Sequence, residues 1–169
     1  MLREKPPAGT TADAPHEGNG SRRPLHILLT GVSSDSHTWN LVFMQLLIQH
    51  LGHRVTNLGA CTPDEDVVQT CLDLSPDLLV VSTVNGLGNI DGERLIRRIR
   101  EDARLQPLPA VIGGKLGIRG EHNRSFTRDL LKAGYSAVFT DDTALAGFGA
   151  FLAQMRADAS ADRLLEASA

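Results

Sequence analysis

An aspartate and a histidine two positions apart could form a metal site: Asp35 and His37, in the segment Ser34-Asp35-Ser36-His37-Thr38-Trp39-Asn40. The segment follows an apolar run over 25–29, which predicts a loop at the end of a strand. An imidazole can give one ring nitrogen to a metal while a carboxylate accepts the proton of the other. That second bond fixes the tautomer and raises the basicity of the ligand. Such pairs also occur in ordinary polar loops, so the interpretation depends on the elements that position them.

The composition is that of one soluble globular domain. The chain has 169 residues, of which 41% are hydrophobic and 22% charged, enough for one substantial core. Its formal charge of -3 argues against nucleic acid or an anionic membrane as the main partner. The sequence has no apolar run near the ~20 residues of a membrane span and no secretory h-region. Cys61 and Cys71 are too few for a disulfide framework or a thiolate metal site, so we expect a cytoplasmic protein.

Three segments follow from composition and periodicity. Residues 1–24 are rich in Pro, Gly, Ala and charge without an apolar period, which predicts a disordered leader. Residues 25–156 form the predicted domain. Residues 157–169 form a C-terminal tail that is either an extension of the last helix or frayed. Within the domain, strands are predicted over 25–30, 54–58, 78–82, 109–112 and 137–139, and helices over 39–51, 63–74 (with Thr62 as a possible cap), 91–104, 122–133 and 143–155.

Alternating strands and helices with short loops predict an α/β fold. The expected architecture is a flavodoxin-like, five-stranded parallel sheet of order 2-1-3-4-5 with helices on both faces. Ligands of such sheets bind at the carboxyl ends of the strands, where the order reverses between the first and third strands. The first strand would bring Asp35 and His37 to this edge, the third Ser82, and the fourth Gly113 and Gly114. A hydroxyl and two residues without side chains would leave room for a bulky ligand beside the backbone.

These residues, in this order, resemble the cobalamin-binding signature Asp-x-His-x-x-Gly, Ser-x-Leu, Gly-Gly. Asp35-x-His37, Ser82-x-Val84 and Gly113-Gly114 match it, with 41 residues between Asn40 and Ser82 and 28 between Val84 and Gly113. Within that superfamily the chain is most similar to the small subunit of glutamate mutase (methylaspartate mutase). The segment 80–91 resembles that subunit's third strand and following loop, and the likeness covers roughly Leu25 to Met155.

The resemblance implies specific roles. His37 would be the lower axial ligand of cobalt in place of the cofactor's dimethylbenzimidazole, and Asp35 would hold its other nitrogen. The freed nucleotide tail would enter a slot between strands and helices. The implied cofactor-binding residues are Ser34, Asp35, Ser36, His37, Thr38, Ser82, Thr83, Val84, Gly86, Gly113, Gly114, Lys115 and Leu116, with His37 as the metal ligand and no catalytic residue in this chain.

Three positions leave questions open. Val84 stands where the signature usually has Leu, which is a small change. Asn40 stands where it has Gly; since Asn tolerates left-handed backbone better than most residues, we expect the loop to keep its course. Trp39 could either pack on the corrin or cap the first helix against the core.

The function that the resemblance implies is that of a cofactor-binding subunit. It would serve an adenosylcobalamin-dependent, radical carbon-skeleton mutase that interconverts L-glutamate and 3-methylaspartate, or a close analogue. A dicarboxylate amino acid needs cationic clamps, and none cluster near the motif. A large catalytic partner subunit is therefore implied, and the family resemblance suggests that it is barrel-shaped and joins this chain in a two-plus-two assembly. The alternatives are a stand-alone corrinoid carrier or cobalamin-sensing module, and a phospho-receiver domain. The receiver would share Asp35 and Lys115 but lacks an aspartate at Ser82-Thr83-Val84.

Overall fold

A computed structural model describes residues 23–117, 123–140 and 143–166. The chain forms a parallel sheet of order β2-β1-β3-β4-β5, which confirms the predicted flavodoxin-like architecture. The elements in chain order are β1 (His26–Thr30), α1 (Trp39–His50), β2 (Arg54–Asn57), α2 (Asp64–Leu74), β3 (Leu78–Thr83), α3 (Gly88–Glu101), β4 (Ala110–Gly114), α4 (Asn123–Ala133), β5 (Ala137–Phe139) and α5 (Ala144–Glu166).

The central strand is β3, and every residue of it is buried. Its run of Leu and Val suits a strand covered on both faces, where alternation between polar and apolar residues is unnecessary. One face of the sheet packs against α2, α3 and α4 through residues such as Val67, Ile96 and Leu130. The other packs against α1 and α5 through residues such as Leu41 and Phe148. The helices thus form a layer on each side of the sheet.

The order of the strands reverses at β1. Chain connections leave β1 toward β2 on one side, and β3 lies on its other side, so the loops after β1 and β3 diverge and open a crevice at their carboxyl ends. Thr30 at the end of β1 is level with Val81, and β3 continues for two more residues beyond it. Those two, Ser82 and Thr83, pair with Gly113 and Gly114 of β4. The predicted site residues on three strands therefore meet at one edge of the sheet.

Helix α3 differs from its predicted range of 91–104. It begins at Gly88, because the side chain of Asn85 accepts a hydrogen bond from the Leu87 N–H (2.9 Å) and turns the chain at once into the helix. It ends at Glu101, since Asp102 adopts an extended backbone and its carboxylate accepts the Arg104 N–H (2.9 Å). Local side-chain bonds to the backbone thus set both ends, a competition that apolar periodicity does not register.

The predicted cap of α2 is also wrong. The residue before this helix is Pro63, and the Thr62 hydroxyl donates instead to the carbonyl oxygens of Leu58 (3.3 Å) and Gly59 (3.1 Å).

The ends of the chain are described only in part. Helix α5 continues to Glu166, so the tail extends the last helix as far as the structure describes it. Of the predicted leader, 1–24, residues 1–22 lie outside the described residues. Arg23 is described and pairs with Asp77 at 2.6 Å. In the described ranges, every helix is too short or too polar to cross a membrane.

Candidate functional site

The carboxylate of Asp35 links the loop after β1 to the end of β3. Its Oδ1 accepts hydrogen bonds from the backbone N–H (3.0 Å) and ring Nδ1 (2.7 Å) of His37. Its Oδ2 accepts hydrogen bonds from the Thr83 hydroxyl and the Val84 N–H, both at 2.7 Å. The side chain is only 1% exposed. A buried carboxylate requires such bonds, and here they fix the position of the histidine relative to the sheet.

The same bonds keep Asp35 ionised. Burial raises the pKa of its carboxyl group, but the hydrogen bonds from Val84, His37 and Thr83 favour the charged form. Together they outweigh burial and lower the pKa from 3.8 to about 2. At neutral pH the group is therefore a carboxylate, which can only accept hydrogen bonds.

The tautomer of His37 follows from its bond to Asp35. Because the Asp35 carboxylate can only accept, Nδ1 of His37 must carry the proton in their 2.7 Å bond. In the neutral imidazole the lone pair then lies on Nε2. The histidine side chain is 48% exposed, and no described residue hydrogen-bonds to Nε2. The arrangement can present one nitrogen ligand, held by a buried anion, at the carboxyl edge of the sheet.

A second group of polar side chains ties the segment 31–38 between β1 and α1, which contains the candidate ligand His37 and is named the ligand loop, to α3. Ser34 donates a hydrogen bond to the nearly buried carboxylate of Asp91 and accepts one from the Asn85 amide (2.9 Å). Arg94 bonds Asp91 (2.6 Å) and Asp64 (2.7 Å), and its third nitrogen reaches the Ser33 hydroxyl (2.7 Å). The loop before His37 is therefore held from the α3 side as well as through Asp35. The sequence interpretation gave Asp91 and Arg94 no role, although their i,i+3 spacing on a helix predicts an ion pair.

An apolar slot of about 310 Å³ opens beside this loop, between α1 and α5 above and β3 and β4 below. This volume lies near the lower end of the ~300–1,000 Å³ typical of small-molecule sites. Ser82, Val84, Gly113 and Gly114 line it, as the sequence interpretation requires. The remaining wall was not predicted. It consists of Trp39, Asn40, Phe43, Met44, Val80, Val81, Val111, Ile112, Phe139, Thr140, Ala144, Leu145 and Phe148.

The two glycines have a structural reason of their own. Gly114 has a φ of +105°, and a Cβ there would lie 2.1 Å from the carbonyl oxygen of Thr83. A Cβ on Gly113 would lie 3.0 Å from the carbonyl oxygen of Phe139. At Gly114 the close approach of the chain to itself therefore demands glycine before any ligand is considered, whereas at Gly113 a Cβ would be a tight contact. Their contact with a ligand stays a prediction.

Asn40 corrects the expectation about its backbone. It lies in the first turn of α1 and is not among the residues with positive φ, so no left-handed conformation is needed there. Its side chain is buried and its Nδ2 donates to the carbonyl oxygen and to Oγ of Ser82, both at 3.1 Å. The difference between Asn and Gly at this position is therefore one of space and hydrogen bonding inside the slot.

The other predicted site residues are distributed differently. Ser36, Thr38 and Lys115 are exposed around the loop and the edge of the sheet, and Gly86 is a buried turn residue with a φ of +82°. Leu116 is only 1% exposed and packs in the core on the α3 side, so the structure does not bring it into the slot. Trp39 is 62% exposed and so does not cap α1 against the core; it stands at the wall of the slot.

Comparisons with known proteins bear on the fold and on the family resemblance. No protein-family model matches the chain. The sigma subunit of glutamate mutase from Treponema denticola is 24% identical over 121 residues, which cover 72% of this chain and 86% of that one. The HTH-type transcriptional repressor CarH from Myxococcus xanthus is 36% identical over 92 residues, which cover 54% of this chain and 30% of that one.

Among solved structures, a cobalamin-binding protein from Desulfitobacterium hafniense has a TM-score of 0.63 at 18% identity, covering 79% of this chain and 60% of that one. Receiver domains of response regulators share the same fold. At this identity the structural likeness shows the fold alone. The sequence likeness to several glutamate mutase sigma subunits extends over about 70% of the chain, well beyond the few residues of the motif. The chain is thus similar to the small, sigma subunits of glutamate mutase, and the resemblance predicted from its motif is confirmed.

Proposed function

We propose that the chain binds cobalamin and supplies the cobalt with His37 Nε2 as its lower axial ligand. The observation that carries this is the Asp35–His37 pair. A buried, ionised carboxylate holds Nδ1 at 2.7 Å, and the half-exposed ring presents its other nitrogen at the switch point of the sheet. A carboxylate in this position raises the basicity of a ligating histidine.

The donor set fits a metal that arrives with its own macrocycle. Within the described ranges, no cluster of three or more His, Cys, Asp or Glu side chains could hold a bare metal ion. A corrin already supplies the equatorial nitrogens of cobalt, so a single protein ligand is sufficient. The neighbouring apolar slot would hold the displaced nucleotide tail, with Ser82 offering a hydroxyl inside it. Ser34, Ser36, Thr38, Thr83, Gly86 and Lys115 would contribute around the corrin edge.

We further propose that the chain is the cofactor-binding subunit of a carbon-skeleton mutase acting on L-glutamate and L-threo-3-methylaspartate or a close analogue. The relatives named as glutamate mutase sigma subunits support this assignment. When bound, adenosylcobalamin supplies a carbon-centred radical by homolysis of its cobalt–carbon bond. This chain would orient the cofactor through His37 and the slot.

Substrate binding would fall to a partner subunit. A dicarboxylate needs cationic side chains free to form bidentate pairs. Arg94, the guanidinium that reaches the ligand loop, is already engaged by Asp64 and Asp91. We propose a large, barrel-shaped subunit that covers the cofactor in a cytoplasmic heterotetramer. Two exposed apolar side chains at the start of α3, Leu87 (40% exposed) and Ile90 (60% exposed), offer contact surface for it.

The likeness to the repressor CarH favours a second candidate, a cobalamin-sensing module or corrinoid carrier. Both candidates share the axial ligand and the slot. They differ in whether a mutase subunit makes the chain active.

The axial ligand is tested by electron paramagnetic resonance of the chain with cobalt(II) cobalamin. Histidine labelled with ¹⁵N should change the nitrogen splitting of the cobalt signal from a triplet to a doublet. A nitrogen splitting that does not change with the label would refute coordination by histidine.

The mutase assignment is tested by mixing the chain with a large mutase subunit, adenosylcobalamin and L-glutamate, and following 3-methylaspartate by ammonia release in a coupled lyase assay. Cofactor binding without turnover would favour the sensor or carrier, and turnover by the chain alone would refute the proposed division between subunits.

A further inference from the structure

Asn40 and Ser82 form a hydrogen-bonded pair on the wall of the slot. The amide nitrogen of Asn40 donates to two atoms of Ser82, the carbonyl oxygen and Oγ, each at 3.1 Å. Both residues are more than nine-tenths buried. The pair joins the first turn of α1 to the end of β3, on opposite walls of the slot.

The orientation of the amide is not interchangeable. A carbonyl oxygen can only accept a hydrogen bond, so the nitrogen of Asn40 must face Ser82. Its Oδ1 then lies buried without a hydrogen-bond partner among the described residues. An unpaired buried acceptor is unfavourable. The Asn40 amide therefore directs its donor nitrogen to Ser82 and leaves its own acceptor unsatisfied among the described residues.

This arrangement determines what the Ser82 hydroxyl can do. A hydroxyl has one hydrogen to donate and lone pairs that accept. Since Oγ accepts from Asn40, its hydrogen is directed away from that bond, and no described residue accepts it. The apolar lining of the slot then meets one hydroxyl hydrogen that lacks a protein acceptor.

We infer that Asn40 is a positioning residue that makes Ser82 a hydrogen-bond donor toward the slot. In the cofactor complex, that hydrogen would be offered to a ring nitrogen of the nucleotide tail, and the new element is that Asn40 sets its direction. The inference rests on the proposed function, because it takes the slot to hold the tail of a cobalamin. Asn40, which stands where the resembled motif has glycine, thereby gains a role in recognising the tail.

The test is a double-mutant cycle read with two cofactors. Affinities of the full chain for adenosylcobalamin and for adenosylcobinamide, which lacks the nucleotide tail, are measured by calorimetry for wild type, Asn40→Ala, Ser82→Ala and the double variant. A neutral hydrogen bond of about 0.5–1.5 kcal/mol corresponds to roughly 2–10-fold in affinity. Each single variant should weaken adenosylcobalamin by that factor and leave adenosylcobinamide unchanged. The double variant should bind like Ser82→Ala alone, because Asn40 acts only through that hydroxyl.

A second variant tests the direction of the hydrogen bond between Asn40 and Ser82. Asn40→Asp keeps the shape but removes both donors, so the serine hydroxyl should turn toward the new carboxylate and tail-dependent affinity should fall at least as far as in Asn40→Ala. Thermal melts confirm that each variant is folded. Tighter binding of adenosylcobalamin by Asn40→Ala, additive losses, or equal losses with adenosylcobinamide would each overturn the inference. Failure of the wild-type chain to bind either corrinoid would instead refute the proposed function.

Discussion

The polar rim around His37 and the apolar slot beside it are built on opposite principles. At the rim, the Asp35 carboxylate accepts hydrogen bonds from three residues, and the preceding Ser34 is held by Asp91 and Asn85. In the slot, the described lining is mostly aliphatic and aromatic, and the pair Asn40–Ser82 is the polar contact across it. The rim fixes the direction of His37 Nε2 through hydrogen bonds, whereas the slot provides an apolar cavity of fixed shape.

This difference predicts how the two regions respond to change. A hydrogen-bonded ligand loop transmits the loss of one partner to the next, because each bond holds the geometry of the others. An apolar wall loses contact area in proportion to the atoms removed. Substitutions at the rim should therefore alter coordination and stability sharply, and those in the slot should alter affinity for the tail by small steps.

The largest effect is expected from His37→Ala. It removes the only nitrogen that we assign to cobalt, so adenosylcobalamin affinity should fall by more than the ~10–100-fold that is typical for the partner of a metal ligand. The absorption spectrum of any remaining complex should no longer show histidine coordination. His50→Ala is the matched control, because His50 is exposed in the last turn of α1, away from the rim. Equal affinities for the two variants would contradict the assignment of His37.

Asp35→Asn should have the next largest effect on binding. In the wild type, the Val84 N–H and His37 Nδ1 donate hydrogen bonds to the Asp35 carboxylate. Asparagine keeps the shape of the side chain, but its NH₂ group would face one of these two donors and could not accept its hydrogen bond. We expect a ~10–100-fold loss of cobalamin affinity, with histidine coordination preserved in the electron paramagnetic resonance spectrum of the residual complex. Complete loss of binding by a folded variant would show that Asp35 is more than a support for the histidine.

The acid stability of the chain tests the same carboxylate without any ligand. Because the folded-state pKa of Asp35 is lowered from 3.8 to about 2, its stabilising contribution is complete above pH 4 and is lost as the pH falls toward 2. A shift of this size corresponds to a free energy of unfolding on the order of 2 kcal/mol. In urea unfolding, the stability gap between wild type and Asp35→Asn should therefore narrow from pH 5 to pH 2.5.

Asp102 provides the control for that measurement. A hydrogen bond from the Arg104 side chain lowers its pKa to about 2 as well, but this pair lies at the surface. Solvent screens such a pair, so Asp102→Asn should change the pH dependence of unfolding less than Asp35→Asn. If both variants changed the pH dependence of the free energy of unfolding equally, the burial of Asp35 would not explain its contribution to stability.

The sequence was sufficient for the parts that depend on order along the chain. Apolar runs and short loops predicted the sheet and its order, and the spacing of Asp35, His37, Ser82 and Gly113 predicted which residues meet at its edge. The rest is not visible in apolar periodicity. The start of α3 follows from a local bond between the Asn85 side chain and the Leu87 N–H, two residues further on. The walls of the slot come from Phe43 and Leu145 on two separate helices, and that contact has no local signal in the sequence.

Asn40 shows the same limit at a single residue. Its difference from glycine was visible in the sequence, but a backbone explanation was expected for it. The structure places the residue in a regular helix with its amide on Ser82, forty-two positions further along the chain. A substitution in a motif indicates that something has changed, and only the partner of the new side chain indicates what.

The smallest effect is expected in the slot, from Phe43→Ala. Phe43 lines the slot and is 47% exposed, whereas Leu46, one turn further along α1, is 62% exposed and outside the slot. Both changes place alanine, the best helix former, at partly exposed positions of the same helix, so neither should weaken the helix itself. Loss of part of an aromatic wall should weaken the tail-bearing cofactor by about 1 kcal/mol, or roughly fivefold. Phe43→Ala should therefore reduce adenosylcobalamin affinity without changing that for adenosylcobinamide, and Leu46→Ala should change neither. If Phe43→Ala weakened both cofactors equally, the slot would have no separate role from the rim, and the contrast between them would not hold.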